Sequence, residues 1–261
     1  MKKFIIVLLL LSSINIEQVF CQSEFSLGIR VGSLKFQNWE FEKGNIPLNG
    51  STKGRYYLGA YPKMHFAKNY SVGLGFDLLA ANESISFKFS GPGGGGPFYT
   101  MFALSPSISK DVFLVQNKLG FTLQIGAPIT FLQTSTFVLD EQKLFGVIVQ
   151  KVEDENGNIV SVPTFDIKVS GTRTVDREVA LYIRPELGVF YHISPWLKAT
   201  VSHMRGFNLG KPLIYRNLDT VVYQEETFAA SDHFKGNYWS TMIGVELQMN
   251  ELVNLYKSMK N

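Results

Sequence analysis

The stretch that decides the fold is "LYIRPELGVFYH", residues 181–192. It reads as an apolar strand, yet it carries Arg184 and Glu186 in its middle. Side chains of a strand alternate between two faces. One face here is Leu181, Ile183, Pro185, Leu187 and Val189, and the other is Tyr182, Arg184, Glu186, Gly188, Phe190 and His192. Two settings fit an apolar face backed by a polar one. In a soluble antiparallel sheet the apolar face meets a core and the polar face meets water. In a membrane barrel the apolar face meets lipid and the polar face meets a lumen.

The same alternation recurs in "FSLGIRVG" (25–32), "YYLGAYPKMHF" (56–66), "SVGLGFDLLA" (71–80), "FYTMFALSPSI" (98–108) and "LGFTLQIGAPITF" (119–131) before the opening stretch. It recurs in "WLKATVSHM" (196–204) and "WSTMIGVELQM" (239–249) after it. These eight segments have about the ten residues that a tilted strand needs to cross a bilayer. Their connections alternate in length. Short links follow the second and sixth segments ("AKNY" and "ISP"), and a somewhat longer one, around residues 109–117, follows the fourth. Long ones follow the first, third, fifth and seventh: 36–54, 81–97, 132–176 and 207–237. A soluble meander has no reason to alternate so, whereas a barrel with short periplasmic turns and long external loops does. The pattern therefore predicts an all-β chain, an eight-stranded antiparallel transmembrane up-and-down barrel. Ten strands remain open if residues 145–169 add a pair to the wall.

Inward charges in a narrow barrel must be paired, because eight strands leave room only for side chains. Arg30, Asp77, Arg184, Glu186 and Glu246 are expected to form a lumen charge network that plugs the barrel. Lys63 and Lys198 share the inner face but fit a wet barrel mouth equally well. Tyr56 and Trp239 near the long-loop ends, and Tyr191 and Trp196 near the short-turn ends, fit the aromatic girdles at two membrane interfaces.

The chain has 261 residues, 45% of them hydrophobic and only 18% charged. Soluble domains carry about 25% charge. The net charge of +3 implies no polyanion-binding surface and so no nucleic-acid partner. Residues 1–21 read as a secretory signal peptide: Lys2 and Lys3 precede an apolar run from Phe4 to Leu11 that is too short to span a membrane. Cleavage is expected after Cys21, leaving residues 22–250 as the barrel. Lipidation of Cys21 is the competing reading, against which the bulky Phe20 stands. Loss of Lys2, Lys3 and Glu17 leaves 23 basic and 21 acidic residues, a mature charge of +2, and no thiol.

"SGPGGGGPF" (90–98) lacks the Lys-Ser/Thr of a phosphate loop and reads as an external loop. "VEDENGNIV" (152–160) lacks the glycine and acid that a calcium loop needs, and Asn156-Gly157 fits a tight β-hairpin turn in the third long loop. His65, His192, His203 and His233 are scattered; Ser202 and His203 are adjacent and so face opposite ways. No catalytic, cofactor or metal site is expected. In "NELVNLYKSMKN" (250–261) apolar residues fall at helical spacing, so 251–261 is expected to be a short periplasmic tail, with a short helix or a frayed end as the two readings.

On this pattern the chain resembles the small bacterial outer-membrane β-barrel family, the group of the OmpX and OmpA membrane domains and the PorT-like barrels. The resemblance covers Phe25 to about Met249. It departs from the family at the end of the last strand, where such barrels often carry an aromatic residue and this chain runs on past Met249. The resemblance implies an outer-membrane location, contact with outer-membrane lipid, and a non-enzymatic structural or surface-contact role. An extracellular or envelope protein partner would be met through the long loops. A small channel or carrier, a secretion-associated barrel and a lipid-modifying enzyme are the alternatives.

Overall fold

The computed structural model describes residues 24–67, 69–88, 95–115, 118–145, 149–153, 157–163, 166–223 and 225–260; residues 1–21, the expected leader with Cys21, lie outside it. In chain order its strands are β1 (Glu24–Phe36), β2 (Glu40–Gly44), β3 (Leu48–Ala67), β4 (Tyr70–Phe87), β5 (Gly95–Val115), β6 (Leu119–Gly126), β7 (Ile129–Gln133) and β8 (Phe137–Phe145). They continue with β9 (Val149–Glu153), β10 (Ile159–Pro163), β11 (Asp166–Val175), β12 (Val179–Ser194), β13 (Leu197–Asn208), β14 (Ile214–Tyr223), β15 (Glu226–Phe234) and β16 (Tyr238–Gln248), and helix α1 (Met249–Lys260) follows.

Eight of these positions close into a ring. The order is β1–β3–β4–β5–β6/β7–β12–β13–β16 and back to β1, antiparallel throughout. β6 and β7 are one wall strand broken at Pro128, whose carbonyl still accepts from the Tyr182 amide at 2.9 Å. Partners can be followed from Tyr191 through Ala199, Val245, Ile29, Ala60, Phe76, Leu104 and Ile129. The path returns to β12 at Leu181, ten residues from its start. With a rise of about 3.3 Å per residue and a strand spacing of about 4.8 Å, that stagger tilts the strands about 40° from the barrel axis.

Burial is inverted relative to a soluble sheet. Along β12 exposed and buried positions alternate without a break from Val179 to Phe190. The exposed set is apolar: Ile29, Phe76, Ile125 and Val189 are 52, 52, 57 and 54% exposed, whereas Arg184 is fully buried. An outer wall of this kind is stable only against hydrocarbon. The protein is a membrane-spanning β-barrel of eight strands.

The connections at one end are short: residues 68–69, 116–118 and 195–196. The N-terminal strand begins and α1 starts at that same end. At the other end the chain keeps building. β2, β15, β14, β11 and β8 form a five-stranded sheet in that order. It repeats the ring order of the wall strands that these five adjoin in sequence, namely β1, β16, β13, β12 and β7. Extensions of β3, β4 and β5 complete this outer tier, with Leu48 paired to Phe87 and Ser84 to Gly95. The tier has its own core, in which Leu48 and Phe87 join Ile167, Val169, Leu218 and Val221.

Three expectations are corrected here. Residues 81–87 are strand, not loop, so the second long connection shrinks to 88–94; Ile85 and Phe87 contribute to the outer core and hold the extension. Residues 109–115 are also strand. The hairpin at Asn156-Gly157 exists as the β9–β10 pair, but Glu153 pairs with Ile159, so five residues cross rather than two. That pair is a separate two-stranded sheet, and the wall keeps eight strands. Residues 90–94 and 154–156 lie outside the described residues.

Candidate functional site

The interior is the chemically dense part of the molecule, and it is layered. Nearest the short turns, the Glu246 carboxylate on β16 accepts from Lys63 of β3 at 3.0 Å and Ser26 of β1 at 3.0 Å, and pairs with Lys198 of β13 at 3.1 Å. Lys198 also reaches Asp111 of β5 at 3.0 Å. Next, Arg30 pairs with Glu186, which also accepts from the Gln124 amide at 3.3 Å. Above that, Asp77 on β4 receives Arg184 at 2.5 Å and the Tyr57 hydroxyl at 2.5 Å, together with the hydroxyls of Tyr61 and Ser105. The Tyr61 ring lies beneath the Arg30 guanidinium at 4.6 Å and packs flat on Gly75, where an added Cβ would sit 2.3 Å from a ring carbon. Only glycine allows that approach.

Arg30, Asp77, Arg184, Glu186 and Glu246 are all buried in the interior. Their pairing differs from sequence proximity: Arg184 and Glu186 ignore each other and take partners on β4 and β1. Lys63 and Lys198, which fitted a wet mouth as well, are buried ligands of Glu246. A cavity bounded by Arg30, Lys63, Glu186 and Glu246 measures about 10 Å³, room for about one water. Toward the outer end the lumen is closed by packed rings, including Tyr99, Tyr182, Tyr238 and Phe234.

A second ion cluster, not anticipated from sequence, sits in the outer tier. Arg216 forms a two-pronged pair with Asp232 at 2.9 and 2.5 Å, Arg173 donates to Glu83 at 2.8 Å, and Arg216 lies over Trp39 at 4.3 Å. Burial pushes the Asp232 carboxyl up to about 6, against the pull of Arg216.

At the short-turn mouth a vestibule of about 420 Å³ is lined by Glu24, His65, Asp111, His192 and Glu251, among others. Ser26, His65 and Glu246 meet beside it. Ser26 and Glu246 both approach the same ring nitrogen, Nε2, at 3.1 and 3.7 Å, while Ser26 donates to Glu246. A relay needs the acid on the opposite nitrogen. Ser202 and His203 point in opposite directions, and His203 contacts Thr241 at 3.0 Å on the outer wall.

Of the four aromatics expected at the membrane interfaces, Tyr56 and Tyr191 are exposed on the wall, at the long- and short-connection ends respectively. Trp239 and Trp196 are half-buried at the same two levels. Among the described residues no cluster of His, Cys, Asp and Glu is arranged to hold a metal ion.

No family model and no curated protein matches the sequence. Among solved structures, Neisserial surface protein A is 9% identical with a TM-score of 0.42, over 86% of this chain and 96% of that one. The outer membrane protease OmpT from Escherichia coli is 11% identical with a TM-score of 0.39, over 86% and 96%. The Ralstonia pickettii toluene transporter TbuX is 10% identical with a TM-score of 0.24, over 87% and 89%. The membrane-barrel architecture rests on the closed ring and its inverted burial rather than on these likenesses.

Proposed function

We propose that the chain is an integral outer-membrane barrel with a sealed lumen, whose outer tier is presented at the cell surface to contact a protein partner or surface. One observation carries this reading. The long connections do not trail as loops; they continue the wall as a second tier with its own apolar core and buried ion cluster. A cap built to that standard offers a rigid face for recognition, while the filled lumen below leaves little for transport. Short turns on the periplasmic side and the elaborated tier outside follow the usual orientation of such barrels. The leader-like residues 1–21 fit export to that membrane.

Cysteine labelling tests it, since Cys21 is the only cysteine of the chain. Thr227→Cys places a thiol on the exposed face of β15, and Lys118→Cys places one in a short turn. A membrane-impermeant maleimide is expected to label Thr227→Cys on intact cells and Lys118→Cys only after the outer membrane is breached. The reverse pattern, or no label at Thr227→Cys on intact cells, overturns the reading.

A further inference from the structure

The lipid-facing wall is not uniform. On β4, β5, β7 and β12 its outer-end row is apolar: Leu78 pairs with Phe102, Phe102 with Phe131 and Phe131 with Val179. On β13, β16 and β1 the corresponding row is Arg205, Trp239 and Lys35, direct cross-strand neighbours in that order. The next outward row toward the membrane centre is also polar on these strands: His203 beside Thr241, and Thr241 beside Ser33. Lys35 lies over the Trp239 ring at 5.9 Å and Arg205 over the Phe207 ring at 4.8 Å. Neither cation has an ion pair among the described residues, and both are exposed.

Solvation explains a single cation beside an aromatic girdle, because a long side chain can reach the headgroups. It does not explain a second, deeper row of imidazole and hydroxyls confined to the same three strands. A charged group facing lipid costs more the deeper it sits. An anion bridging the two cations would offset that cost, and the hydroxyls and imidazole below would donate to its remaining oxygens. Arg205 and Lys35 stand two strand spacings apart, about 10 Å, which two long side chains close around one phosphate.

We infer that this patch binds the phosphate of an acylated lipid headgroup in the outer leaflet, with the acyl chains lying along the apolar wall toward Ile243 and Val201. This deepens the surface-barrel reading and rests on its orientation. The test uses the refolded full-length mature barrel in neutral detergent, with retained lipid read by native mass spectrometry. The probes are a diphosphorylated acyl-glucosamine disaccharide (lipid A), its dephosphorylated form, and inorganic phosphate as competitor.

The wild-type protein is expected to retain the phosphorylated lipid at least tenfold better than the dephosphorylated one. Lys35→Leu/Arg205→Leu should erase that preference while keeping a folded barrel, and the charge-preserving Lys35→Arg/Arg205→Lys should keep it. Equal retention of the two lipids by the wild type overturns the inference whatever the variants do. So does an unchanged preference in the leucine double variant. Displacement by millimolar inorganic phosphate would make free phosphate the ligand and overturn the lipid assignment. Surface labelling is read separately, so a correctly oriented barrel without lipid preference would lose this site alone.

Discussion

Replacing Glu246 by Gln removes one charge from the most crowded ion cluster in the barrel. Glu246 faces two ammonium groups at 3.0 and 3.1 Å, and all three side chains are buried. At an effective dielectric constant of about 20, each pair is worth about 5 kcal/mol before desolvation is counted. The loss is capped because the stranded ammonium can shed its proton. For a lysine with an ordinary value near 10.4, neutralisation at pH 7.4 costs about 4 kcal/mol. Lys198 keeps Asp111 at 3.0 Å, so the penalty falls mainly on Lys63. Breaking a buried pair from one side typically costs about 3–5 kcal/mol, and Glu246→Gln is expected in that range. Lys63→Met in the same chain removes the stranded charge and should bring stability back to within about 1 kcal/mol of the wild type. The assay is urea unfolding of barrels refolded into lipid vesicles, followed by tryptophan fluorescence and checked by reversibility. A single variant that loses under 1 kcal/mol, or a double variant no better than the single, would refute the paired-lumen reasoning.

In planar bilayers the purified protein is expected to give no steady open level, because paired charges and packed rings fill the lumen; a stable ohmic conductance would contradict this. For the outer tier the sign follows from Asp232, whose folded value lies near 6, above its ordinary 3.8. The folded state then holds that proton more tightly, so its contribution is full below about pH 4 and is lost as pH rises through about 6, by at most about 3 kcal/mol. Trp39, with Trp196 and Trp239 replaced by Phe, reports this tier; a flat or rising profile between pH 4 and 6.5, or an unaltered slope in Asp232→Asn, would refute it. Gly75→Val should block folding because its Cβ meets the Tyr61 ring at 2.3 Å, while Gly28→Ala, whose nearest neighbour is 3.7 Å away, should fold normally on a detergent gel.

All eight wall strands were legible in the sequence for a physical reason. Lipid imposes the same demand on most outward positions, so enough period-two alternation survives in each strand to mark it. Which charges belong inside was legible too, since Arg30, Asp77, Arg184, Glu186 and Glu246 share the inner face. Their partners were not. Arg30 and Glu186 lie 156 residues apart in sequence, and their meeting depends on a register that alternation leaves undetermined. Asp111 was hidden because "SKDVFLV" (109–115) breaks the period-two alternation, three polar residues being followed by four apolar ones, although it continues β5.

The outer tier was illegible because it obeys weaker rules. In β14 the inward set runs Ile214, Arg216, Leu218 and then jumps to Val221 across an irregularity, so the alternation changes phase within one strand. Its interior also admits Arg173, Arg216 and Asp232, which sequence pattern assigns to loops. Bounded by water rather than hydrocarbon, the tier has no uniform apolar outer face to mark its strands.

The most direct test of a closed membrane barrel is mobility on a detergent gel of the outer-membrane fraction, unheated and boiled. The closed ring should survive detergent at room temperature, so the unheated protein should migrate away from the position of its unfolded chain, 29.4 kDa at full length, and reach that position only after boiling. A protein found in the soluble fraction, with identical mobility before and after boiling, would contradict the barrel and leave Arg184 and Glu186 as the wet face of an ordinary sheet.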